Sequence, residues 1–185
     1  MDKPTKLVML AIGLSAVTIL GALAFEHIGG YLPCKLCLEQ RVPYYIGLWT
    51  LAVALLPLAN GGRSRAFLFC ILTAMVFAKG AYLGLYQAGA EWRWWEGPTD
   101  CAAAGLSGHF DAADLLEKIR QTKLVSCTDP ALRILGLSLA GWNFLISGAV
   151  AALAGAAAVA NYRLCKDSEW PKRIARRILP SRPKD

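Results

Sequence analysis

Apolar residues along this chain gather into long runs instead of alternating with polar ones. Runs of roughly 17 to 23 residues recur, at about 7–25, 43–59, 66–88 and 141–162. A run of about 20 apolar residues spans the hydrocarbon core as a helix. Lipid offers the backbone no hydrogen bonds, so each run must satisfy its own and reads as a helix. The pattern predicts an all-α membrane protein, a bundle of four transmembrane helices in one domain over residues 1–162. Two outer segments interrupt the runs, at about 26–42 and 89–140, and a tail follows over 163–185.

Smaller features refine this. Asn60-Gly61-Gly62-Arg63-Ser64-Arg65 is a turn by composition. Within the second outer segment, Ala112, Leu115, Leu116 and Ile119 share one face, with Asp111 as an N-cap. This predicts a short amphipathic helix over about 111–121, lying on the bilayer or packed on the bundle. Trp92, Trp94 and Trp95 follow the third run, and Trp142 opens the fourth, as an interfacial aromatic belt does. The alanine-rich stretch 149–160 suits close helix packing. A signal peptidase site at Ala22-Leu23-Ala24 is the rival reading of the first run. That run is longer than a usual signal core, which favours a retained span.

Composition agrees: the 185 residues are 56% hydrophobic, too apolar for a small soluble domain. The net charge of +7 raises the question of nucleic acid. Lys3, Lys6, Arg63, Arg65, Arg163 and Lys166, with the rest of the basic tail, lie in the segments that share one membrane side in a four-span chain. Positive flanks stay in the cytoplasm, so the charge speaks for membrane lipid and orientation, with no nucleic-acid partner. Both termini are expected in the cytoplasm and the two outer segments across the membrane.

That topology sorts the cysteines. Cys34, Cys37, Cys101 and Cys127 fall outside, where disulfides persist, and Cys70 and Cys165 do not. Pairing does not follow from sequence alone. Cys34 and Cys37 have the spacing of redox-active dithiols, which leaves Cys101 and Cys127 to each other. The wide second spacing argues against a zinc site, and no metal is expected. Arg41 would share a face with Cys34 and Cys37 if the chain were helical there. A guanidinium there could favour a thiolate or donate to a carbonyl oxygen such as a quinone's. It could equally anchor the span at the head groups. Pro43 suits a first helical turn, so the second helix is expected to begin there.

At this point the residues resemble a known family. Pro33-Cys34-Lys35-Leu36-Cys37-Leu38-Glu39-Gln40-Arg41 is similar to the quinone-reducing motif of the bacterial disulfide bond formation protein B family, DsbB. The resemblance continues at Trp94-Trp95-Glu96-Gly97-Pro98-Thr99-Asp100-Cys101, at Cys127, and at Gly136-Leu137-Ser138-Leu139-Ala140-Gly141-Trp142-Asn143. It implies a thiol:quinone oxidoreductase of the bacterial inner membrane, with the cysteine loops periplasmic. By resemblance, Cys101 is attacked by a reduced, periplasmic, DsbA-like thioredoxin-fold protein. Cys127 then exchanges with Cys34, Cys37 meets the quinone (ubiquinone or menaquinone), and Arg41 supports the ring. Two departures stand out. Cys127 is followed by Thr128, where relatives often carry an acidic residue. Gln87 stands at or near a position where many relatives carry a histidine that could help to protonate a quinone. His27 and His109 are not obvious substitutes.

Two other functions fit a four-span chain with cysteines. In the vitamin K epoxide reductase family the loop cysteines precede the Cys-x-x-Cys; here they follow it. A non-enzymatic scaffold stapled by disulfides would resemble tetraspanins, whose Cys-Cys-Gly this chain lacks. Lys79, near the middle of the third run, is expected to face the bundle or to snorkel.

Overall fold

The computed structural model describes residues 2–97, 123–124, 130 and 132–178. Cys101, Cys127, His109 and the amphipathic helix expected over 111–121 lie outside the described residues. Helix α1 covers Lys3–His27, α2 Lys35–Ala59, α3 Arg63–Glu91 and α4 Leu139–Ile178. Among the described residues, four helices are long and apolar enough to cross a membrane, the last over Leu139–Asp167. The chain is an all-α four-helix membrane bundle.

The helices pack in a ring, α1 on α2, α2 on α3, α3 on α4, and α4 back on α1. The interior is built from Val8, Leu51, Phe77 and Val150. On α4 the buried positions Val150, Ala154, Ala157 and Ala158 recur at helical spacing, so small side chains line the seam with its neighbours. Gly84 allows α3 and α4 to approach closely: a Cβ there would lie 2.7 Å from the backbone nitrogen of Phe144. Outward faces carry Val17, Trp49, Leu56 and Tyr82, as lipid contact requires.

One end of the bundle holds the Asn60–Gly62 turn. There Arg63 pairs with Asp2 at 2.7 Å, and Ser64 lies 3.3 Å from Cys165. The basic residues expected to share a membrane side, Lys3, Arg63, Arg65 and Arg163, gather at this end.

The opposite end differs from expectation in two ways. First, α2 begins at Lys35, eight positions before Pro43. Leu, Lys, Glu and Gln over residues 35–40 are good helix formers. Cys34 caps them: its Sγ accepts from the Cys37 N–H at 3.2 Å, and its carbonyl accepts from Leu38 N–H at 3.1 Å. Pro43 sits inside the helix with its ring against Gly80, where a Cβ would lie 3.1 Å from it. The outer segment expected over 26–42 therefore shrinks to the short link between His27 and Lys35.

Second, short strands appear. β1 (Tyr31–Leu32) pairs in parallel with β2 (Lys123–Leu124), in the register Tyr31 with Lys123 and Leu32 with Leu124. β3 (Arg133–Ile134) and β4 (Leu137–Ser138) form a hairpin. Its turn residues Leu135 and Gly136 have φ of 53° and 84°, the backbone that a tight two-residue hairpin needs.

At the Asn60–Gly62 end, α4 continues past the expected span end to Ile178. The tail from residue 163 is rich in Arg and Lys, which favour helix.

Candidate redox site

The cap geometry at the start of α2 places the two cysteines differently. Cys34 is fully buried. Its thiol is pushed up from the ordinary value, first by its hydrogen bond with Cys37 and then by burial. Cys37, one turn into the helix, is half-buried and opens onto a cavity. The structure holds both as free thiols.

Gln87 on α3 faces the pair. Its Nε2 lies 3.8 Å from the Cys37 sulfur and 4.0 Å from the Cys34 sulfur. Its Oε1 accepts from Gln40 Nε2 at 2.6 Å. Gln40 Oε1 in turn accepts from Asn143 Nδ2 at 2.6 Å. Asn143 Oδ1 accepts from the Tyr44 hydroxyl at 2.7 Å and from Ser147 at 3.2 Å. Every donor along Tyr44, Asn143, Gln40 and Gln87 points toward the sulfurs. Such a chain presents N–H groups, the polarity that favours negative charge on a sulfur. It also ties α2, α3 and α4 together beneath the cysteines.

The cavity has a volume of about 470 Å³ and lies between α1, α2, the end of α3 and α4, with the hairpin at its edge. Its wall is mostly apolar, with Val17, Phe25, Leu139 and Ile146. Polar groups enter at a few points: Cys37, Gln40, Arg41, Gln87, Glu91 and Asn143. An apolar cavity with a few convergent polar groups is the usual form of a small-molecule site.

Arg41 lines this cavity, but it is not free there. Its Nη1 donates to the Glu26 carboxylate at the end of α1, and its Nη2 lies 3.5 Å from the Ala22 carbonyl. The pair is largely buried, with side-chain exposures of 13% and 24%. Head-group anchoring therefore does not describe Arg41; Glu26 fixes it in the wall. Tryptophans at this end pack as well as face the interface. Trp95 donates to the Tyr86 carbonyl at 2.9 Å and stacks on the Tyr86 ring at 6.1 Å. Trp142 donates to the Ile134 carbonyl at 3.0 Å and so ties the hairpin to α4.

Of the residues singled out in the sequence, the structure brings together Cys34, Cys37, Arg41 and Gln87. Cys101 and Cys127 lie outside the described residues. The parallel pairing of Leu32 with Leu124 sets β2 beside β1, the strand that precedes Cys34. Lys79 is exposed on the outer face of α3 and does not line the cavity, which rules out the bundle-facing alternative and leaves the snorkelling one. Glu26, Gln40, Glu91 and Asn143 were not read from the sequence as site residues. The signal available was polarity inside or at the edge of an apolar run, which is rare unless it is used.

Comparison with known proteins now bears on this geometry. A family model described as "Disulfide bond formation protein DsbB" matches residues 4–157. An uncharacterized protein of Rickettsia prowazekii (strain Madrid E), RP370, is 26% identical over 147 residues, covering 79% of this chain and 83% of that one. No solved structure matches.

Proposed function

Because the chain belongs to the DsbB family of disulfide bond formation proteins, a multi-pass membrane oxidoreductase family, we propose that it oxidises a DsbA-like thioredoxin-fold protein and passes the electrons to a membrane quinone. The observation that carries this reading is the opening of the Cys37 sulfur onto an apolar cavity whose wall includes Arg41. A dithiol beside water would serve soluble partners; one beside an apolar cavity at the membrane edge suits a lipid acceptor.

The residues fit that group. A quinone bound there would supply a two-electron, two-proton acceptor. The apolar wall excludes water and takes an apolar ring. The Arg41 guanidinium, positioned by Glu26, offers N–H groups to a carbonyl oxygen. Gln87 donates toward both sulfurs and holds the pair's geometry. Cys34 is fully buried and does not line the cavity, so Cys37 is the sulfur that faces the acceptor.

Upstream, Cys101 takes the thioredoxin-fold partner and Cys127 exchanges with Cys34. The β1–β2 pairing supports this order, since Cys34 and Cys127 follow the paired residues Leu32 and Leu124 by a few positions. Each residue spans at most about 3.6 Å, so the ladder limits how far the two sulfurs separate. Strong thiol oxidants of the DsbA type lie above the reach of a glutathione couple, which calls for a non-thiol acceptor. The positive cluster around the Asn60–Gly62 turn favours that end as cytoplasmic, with the cysteines periplasmic in an inner membrane.

The test is direct. Purified protein in detergent is mixed with ubiquinone or menaquinone and a reduced DsbA-type protein, and quinone absorbance is followed. Consumption by the wild type and none by Cys37→Ser is expected. No consumption by the wild type discards the reading.

A further inference from the structure

Glu91, the last residue of α3, is 8% exposed, and its side chain lines the same cavity as Cys37. Ser138 and Gln87 neighbour its carboxyl group. Its Oε2 is buried and has no partner among the described residues. Buried polar atoms in native proteins are nearly always satisfied. An open carboxyl oxygen in a ligand-sized cavity therefore points to a partner that is a ligand.

The other polar groups of the cavity are poor sources of a proton. Gln40, Gln87 and Asn143 are amides and release none. Glu26 is held in an ion pair with Arg41. The Tyr44 hydroxyl is committed to Asn143 and Ser147. His27 is exposed and does not line the cavity. Gln87 leaves vacant the acid–base role that a histidine near that position would fill. One helical turn on, Glu91 faces the same space with a group that can carry a proton.

We propose that Glu91 is the proton donor to the electron acceptor in this cavity, handing its carboxyl proton to an acceptor oxygen as the cysteine pair is oxidised. The proposal rests on the reading that the cavity takes a quinone. The step balances. Two thiols form one S–S bond and release two electrons and two protons, and the acceptor takes up two electrons and two protons. Glu91 gives one proton to the acceptor and regains one released by the cysteine pair, with Gln87 lying beside both. The second proton released and the second one taken up are exchanged with water at the membrane face. Among the described residues, the other titratable or charged groups around Glu91 are Glu26 on α1, Tyr31 on β1, Cys37, Arg41 and Tyr44 on α2, and Arg133 on β3.

Glu91→Gln keeps the shape but carries no proton to give. Removing a general acid slows turnover by about a hundredfold, and the alkaline limb of the pH–rate profile, where Glu91 would lose its proton, should vanish with it. A second readout needs no quinone. Oxidising and reducing the cysteine pair in the full-length protein should shift the infrared C=O band of a carboxylic acid. That band should be absent from Glu91→Gln and retained in Glu26→Gln. A band that persists in Glu91→Gln, or turnover and pH profile unchanged from wild type, overturns the role of Glu91. A wild type that reduces no quinone overturns instead the reading beneath it. Should Glu91→Gln not assemble, Glu91→Asp carries the test: a displaced band supports the proposal, and an unmoved band overturns it.

Discussion

The amide nitrogen of Gln87 stands 3.8 Å from the sulfur of Cys37, so a residue of α3 is a direct neighbour of the redox pair on α2. A hydrogen bond to a charged group contributes roughly 1.5–3 kcal/mol, and about 1.4 kcal/mol is tenfold in rate. Gln87→Leu should therefore slow the reaction of Cys37 with a small maleimide by about tenfold or more. Gln87→His should slow it less. Equal alkylation rates in wild type and Gln87→Leu would remove Gln87 from the site.

Asn143 is the middle of the polar chain, donating to Gln40 and accepting from Tyr44 and Ser147. Asn143→Leu leaves those partners unmatched inside the bundle, at a cost of about 1–3 kcal/mol. Thermal unfolding in detergent should show a clear drop for Asn143→Leu. Tyr44→Phe should show a smaller one, because Asn143 Oδ1 keeps Ser147. A reversed order would mean that the chain does not hold the helices together.

Much of the fold was legible in the sequence because lipid simplifies the problem. A run of about 20 apolar residues has one outcome as a helix, and the four helices follow from that. The start of α2 was not legible. Pro43 is a helix-start signal, and nothing local announced that Cys34 would cap the helix with its sulfur. β1 and β2 are two residues each, too short for any period to register. Glu26 and Glu91 read as ordinary charges at span edges; their burial depends on residues far along the chain. Gln87 was visible as the site of a missing histidine, but its contact with both sulfurs was not.

Arg41 and Glu26 link α2 to α1 across the cavity wall. Arg41→Gln should raise the KM for quinone by about tenfold, the loss of one hydrogen bond to a carbonyl oxygen with its charge assistance. Disulfide exchange between the protein and its thioredoxin-fold partner should proceed at the wild-type rate. Steady-state kinetics at varied quinone concentration separates the two effects. A slowed exchange with an unchanged KM would move Arg41 out of the acceptor site.

The Leu32–Leu124 register predicts how the relay is kept together. In a Cys37→Ser, Cys101→Ser background, Cys34 and Cys127 should form a disulfide detectable by mass spectrometry. Leu124→Pro removes a ladder N–H, and the yield of that disulfide should fall severalfold. An undiminished yield would show that the strand pairing does not guide the exchange.

The most direct measurement is a single turnover without any partner protein. Protein fully reduced at its thiols is mixed with one equivalent of quinone in detergent, and quinol and remaining thiols are counted together. The account predicts one quinol formed for two thiols lost, with Cys34 and Cys37 as the disulfide-linked pair in a Cys101→Ser, Cys127→Ser protein. Quinone left untouched by that protein, while its two thiols remain intact, would contradict it.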